Sequence, residues 1–117
     1  MEESILTSIK KLLNISVNDK SFDTDIIINI NTVFTILNQL GVGPKNGFSI
    51  KDNSSVWSDY LENDFNLDSV KTYIYLKVKL IFDPPTNSSI TENYNKLISE
   101  LEWRINSQVD YVIDKED

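Results

Sequence analysis

The side chains in this chain that can do chemistry are carboxylates, lysines and hydroxyls, because its 117 residues include no cysteine and no histidine. That absence removes thiolate nucleophiles, imidazole bases, disulfides and nearly every zinc site. The pairs Asp59/Glu62 and Glu100/Glu102 have spacings that general acid–base catalysis uses. Nothing around them in sequence raises a carboxyl pKa or supplies an apolar cleft, so solvated helix faces are the expectation. Acid-rich runs over Asp19–Asp25 and Asp52–Asn63 fail as calcium loops: Thr24 stands where the turn requires glycine and Ile30 where a bidentate glutamate is required. Capping accounts for these acids. The run "GVGPKNG" (41–47) has the glycines and lysine of a phosphate-binding loop without its spacing, and no strand leads into it. No catalytic residue, cofactor site or metal site is expected.

Charge points the same way. Eleven basic against 18 acidic residues leave a net charge of -7, whereas a grip on nucleic acid or on an anionic membrane is built from clustered Lys and Arg. No apolar run approaches the roughly 20 residues that span a bilayer. The start "MEESILTSIKK" lacks the basic-then-apolar order of a signal peptide, so synthesis in the cytosol is expected. The sequons at Asn14, Asn53 and Asn87 then carry no glycan message, and 13 asparagines supply that many by chance. Fifteen isoleucines and no alanine lower helix propensity without altering the helical pattern.

A chain of this length fits one domain that buries roughly 65% of its unfolded surface, and its apolar spacing is helical. Ile5, Leu6, Ile9, Leu12 and Leu13 predict a helix over 2–14 with Lys10 and Lys11 on the wet side. In "DTDIIININTVFTILNQLG" the β-branched content suggests a strand. However, Ile26, Ile30, Val33, Leu37 and Leu40 form one helical stripe, with Ile27 and Phe34 beside it. Asp23 is the expected N-cap and Gly41 the C-cap, and the breadth of the apolar face makes this the central helix. Residues 41–54 read as a loop. "SVWSDYLEN" predicts a short third helix with Val56, Tyr60 and either Trp57 or Leu61 facing inward. "NLDSVKTYIYLKVKLIF" predicts a fourth helix capped by Asn66, with Val70, Tyr73, Ile74, Leu76, Leu80 and Ile81 available to the core. At Asp83, Pro84 and Pro85 this helix must stop, because proline lacks the backbone donor and excludes the preceding residue from helical geometry. "SITE" then restarts the chain through a Ser89/Glu92 capping box. The fifth helix, over about 90–109, carries Tyr94, Leu97, Ile98, Leu101 and Ile105 on one face. The expectation is an all-α, compact bundle of four to five helices over 1–109, with a central loop and an acidic tail over 110–117.

One residue departs from the helical economy of this pattern. Trp103 lies about 180° from the apolar stripe of the fifth helix, among Lys96, Ser99 and Ser107. It needs a cover, either from a loop of the same chain or from another subunit, where Trp, Tyr and Arg are enriched. Glu100 and Arg104 stand four residues apart, the spacing of a pair along the helix.

The order "FDTDIIININTVFTILNQLGVGP", "VWSDYL", "VKTYIYLKVKLIFDPP" and "ELEWRI" resembles the head-tail connector (adaptor) proteins of long-tailed double-stranded DNA bacteriophages, over about residues 5–106. "FDPP" after an apolar helix, and "ELEWR" some 17 residues later, are its most specific parts; "LNQLGVG" supports them. The resemblance implies a small helical subunit without enzymatic activity or cofactor. Such a subunit forms a ring, usually dodecameric, under the portal of the DNA-filled head and receives the next neck protein, the stopper. It implies a place in the virion neck, assembly in the host bacterial cytoplasm, no membrane, and DNA passing through the lumen without specific binding.

A closed ring joins two different faces of each subunit, so outward aromatics are expected. Trp103, with Glu100 and Arg104, is the candidate subunit face, and Trp57 a further candidate. By analogy with the family, Tyr111, Val112, Ile113 and Asp114 of the tail are candidates for reaching the portal. A different class of function, a small helical module that binds and regulates a phage or host protein, predicts a monomer or dimer without affinity for a portal.

Overall fold

Helical periodicity is realised in five elements: α1 (Ile5–Leu12), α2 (Asp23–Gln39), α3 (Trp57–Tyr60), α4 (Leu67–Phe82) and α5 (Ser88–Glu116). They belong to a computed structural model that describes residues 2–61 and 67–116, with side chains described as far as Val109. Among the described residues the only β pairing is a single antiparallel bridge between Ser4 and Val56, and the all-α bundle expected from sequence holds. Asn66, the expected cap of α4, and Glu62 lie outside the described residues.

The core follows the α2 stripe. Ile26, Ile30, Val33 and Leu37 are wholly buried, and α2 packs against both α1 and α4, while α5 packs against α4. The centre is therefore shared: α4 contributes Val70, Tyr73, Ile74, Leu76 and Val78, and α5 contributes Ile98, Ile105 and Val109. Three positions expected inward face out instead, Leu12 at 48%, Ile81 at 51% and Leu97 at 46% exposed. Ile81 sits in the last turn of α4, beside the start of α2, where the edge-to-face contact of Phe22 and Phe82 ends the packing.

Helix ends are set by side chains the sequence offers, though not always by those expected. Ser4 caps α1 by accepting the Thr7 N–H at 3.1 Å. At the other end Asn14 takes a left-handed conformation (φ 62); the Ile15 and Asn14 N–H groups return to the carbonyls of Lys10 and Lys11, a Schellman close. Gly41 (φ 90) does the same for α2, with Val42 N–H on Leu37 O and Gly41 N–H on Asn38 O. A β-carbon at Gly41 would stand 2.8 Å from Val109 Cγ1, and one at Gly43 2.6 Å from Tyr60 Cε1. Gly41 and Gly43 of the "GVGPKNG" loop thus admit close packing by α5 and α3.

Asp23 is not the N-cap of α2. Phe22 holds that position and the Asp23 side chain caps nothing, because its carboxylate is engaged by Lys10. α5 opens with Asn87, whose side-chain oxygen accepts the Ser89 N–H at 2.8 Å, so the Ser89/Glu92 box is replaced by an equally good cap standing earlier in the chain. α4 stops at Phe82 as expected; Asp83 closes its last turn through N–H to Lys79 O at 3.0 Å and an ion pair with Lys79 Nζ at 2.8 Å. α5 continues through Glu116, so up to that residue the acidic tail is the backbone continuation of this helix.

Lys10 corrects the reading of α1. It is 2% exposed rather than on the wet side. Beyond the left-handed Asn14 the chain folds back over it, and its ammonium donates to Asp19 O at 2.7 Å and Val17 O at 3.3 Å while pairing with Asp23 Oδ1 at 2.8 Å. The loop after α2 is held in a comparable way: Asn31, in the middle of α2, donates to Ile50 O at 2.9 Å and accepts Ile50 N–H at 2.8 Å, which seats the buried Ile50 on the bundle.

Candidate functional site

Most of the described acidic groups that sequence offered for chemistry have a structural task. Asp59 accepts the Val56 N–H at 2.9 Å and starts α3. Glu100 pairs with Arg104 at 2.6 Å along α5, both exposed, an arrangement worth a few tenths of a kcal/mol. Glu102 points the other way and accepts the Tyr73 hydroxyl at 2.7 Å, tying α5 to α4. Burial, and then this bond, push the Tyr73 hydroxyl above its ordinary range. Asp19 and Asp52 each accept the N–H and hydroxyl of the serine two residues on; these bonds hold both carboxyls below the usual range. They are turn-forming acids. Among the described residues no three His, Cys, Asp or Glu side chains converge as a metal site.

Trp57 is removed from the candidate interface. It is 2% exposed, its indole N–H donates to Ser8 Oγ at 3.0 Å, and Lys71 Nζ lies 5.1 Å above its ring. The physical reason is the N-terminal segment. Glu2 accepts the Ser58 N–H and hydroxyl at 2.8 Å, and Ile5 N–H donates to Ser55 O at 2.9 Å, so α3 is drawn onto α1 with Trp57 beneath it. Tyr60 joins Phe34 and Phe48 in an aromatic cluster with ring centroids 4.5 and 5.1 Å from Tyr60. Its hydroxyl has no hydrogen-bond partner among the described residues, and burial pushes it above its ordinary range.

Trp103 remains outside the fold. It is 71% exposed, two residues from the buried Ile105 and so about 200° around α5; among the described residues no loop covers it. Lys96 lies two turns N-terminal on the same face, exposed. An apolar surface not anticipated from sequence lies where α2 begins and α4 ends. There Phe22, Ile28, Ile81 and Phe82 line an open groove of about 400 Å³ with Asp25 and Asn29 at its edge, and Ile28 is 57% exposed. The signal available in sequence was Ile28 itself, which in "DIIINI" falls opposite the α2 core stripe.

The tail candidates Tyr111, Val112, Ile113 and Asp114 lie on the backbone of α5, with side chains outside the described residues. No helix of the described residues is long and apolar enough to cross a membrane.

Among the described residues, Trp103 and the Phe22–Phe82 groove are the uncovered apolar features that combine large side chains with a recess to receive one. Comparison with known proteins gives one family finding: a family model described as phage connector protein matches residues 5–112. No curated protein and no solved structure gives a significant match.

Proposed function

We propose, for a chain that belongs to the phage connector protein family, that it is a subunit of a closed ring, dodecameric as in the resemblance above, seated in the virion neck between portal and stopper. The family is structural, and membership makes this chain a component that assembles with other phage head and tail proteins. The observation that carries the ring reading is the 71% exposed Trp103 on a subunit whose core is complete without it. A large aromatic left in water is stabilised by burial in an interface, where such residues dominate binding. Glu100 and Arg104 flank it on the proposed subunit face. The C-terminal turns bearing Tyr111, Val112, Ile113 and Asp114 are proposed to reach the portal. In this reading the lumen lets DNA pass because the subunit, at net charge -7, offers it no cluster of cations.

Incubation with portal-bearing particles followed by sedimentation tests this reading. Co-sedimentation in a fixed stoichiometry of several copies per portal is the expected result. A monomer or dimer that never binds the particles would instead support the regulatory binding module. A related expectation concerns nucleic acid: at physiological salt the isolated protein does not retard duplex DNA in a gel-shift assay. A salt-sensitive complex at micromolar protein would contradict the passive-channel part of the proposal.

A further inference from the structure

Resting on the ring reading, we infer that the Trp103 face of one copy docks into the groove lined by Phe22, Ile28, Ile81 and Phe82 of a second copy, with Lys96 of the first against Asp25 of the second. The Trp103 side chain and the apolar residues of the groove are both uncovered in the single subunit. The charges beside them are opposite: Lys96 shares the helix face of Trp103, Asp25 borders the groove, and neither forms an ion pair among the described residues. One subunit cannot satisfy itself. The groove lies where α2 begins and α4 ends, next to the start of α5. Trp103 lies 15 residues beyond Ser88, about 22 Å along the α5 axis at 1.5 Å per residue and on the side of α5 turned from Ile105. The end of α5 carrying Val109 instead meets Gly41, at the opposite end of α2 from the groove. A protruding side chain midway along α5 and a recess where α2 begins and α4 ends are two different surfaces of one molecule; joined, they make a heterologous contact, which repeats head to tail and closes into a ring when the rotation allows.

The absence of cysteine provides a clean background for cross-linking the full chain. Trp103→Cys and Ile28→Cys change exposed positions and leave the fold intact. Mixed under oxidising conditions at about thirty times the concentration at which the parent assembles, which offsets the lost indole, the two single variants form a disulfide dimer that grows no further, and the double variant forms a ladder of head-to-tail oligomers. Trp103→Cys linking mainly to itself would overturn the proposal in favour of a symmetric contact.

The charge pair gives a second readout. Lys96→Glu and Asp25→Lys each weaken assembly and together restore it, while Trp103→Ala raises the concentration for half-assembly about thirtyfold, the loss of one hot-spot residue. Rings that form without the Trp103–Ile28 cross-link and without charge rescue sink this contact and leave the ring reading standing. If no oligomer forms, either free or on portal-bearing particles, both fall. Trp103 cross-linking to a portal or other neck protein in place of a second copy also overturns the inference.

Discussion

Replacing Leu37 with alanine lowers the stability of the subunit by about 2–5 kcal/mol. Leu37 is wholly buried on α2 as part of the hydrophobic core, so the shortened side chain loses its transfer free energy and leaves a cavity that a packed core only partly closes. For a domain of this size each kcal/mol moves the midpoint of thermal unfolding by roughly 3–6 °C, which puts the variant well clear of experimental scatter. Leu97→Ala is the matched control: the same change at a position 46% exposed shifts stability by about 1 kcal/mol or less. Equal melting temperatures for the two variants would contradict the layered core.

The second large effect is electrostatic. Lys10→Met keeps the apolar stem and deletes the ammonium that holds Asp19 O, Val17 O and Asp23 Oδ1 together. The two carbonyls and the carboxylate lose their charged partner, which costs about 2–4 kcal/mol. The figure lies below that for a fully buried pair because the Asp23 side chain is 24% exposed and regains some water. A double-mutant cycle checks it by thermal or urea unfolding: Lys10→Met with Asp23→Asn destabilises by less than the sum of the single changes. Strict additivity would mean that the pair does not form in the folded protein.

What could be read from the chain, and what could not, divides along local and non-local physics. The α2 stripe and the outward Trp103 were legible because helical phase over several turns separates core from surface without reference to any other part of the chain. The stop at Phe82 was legible because proline acts on its immediate neighbours. Burial of Lys10 was not, since it depends on a left-handed turn at Asn14 that carries 17–19 back across α1; periodicity alone places a lysine on the wet side. Trp57 sits on a helix of only four residues, too short for periodicity to choose between it and Leu61, and its cover comes from Glu2, Ile5 and Ser8, some 50 positions away. The groove joins Phe22 to Phe82 and exists only once α2 and α4 lie side by side. The clamp of Asn31 on Ile50 was hidden for the same reason: a polar residue inside a helix names no partner.

The central claim, that copies of this helical subunit close into a ring on the portal, is tested most directly by electron microscopy of portal-bearing particles incubated with the purified protein. The account predicts an added ring of density coaxial with the portal, with an open axial channel, and a loss of that ring in the Trp103→Ala variant even though its melting temperature stays near that of the parent. Particles unchanged at saturating protein, with the folded chain left in solution as a monomer or dimer, would contradict it.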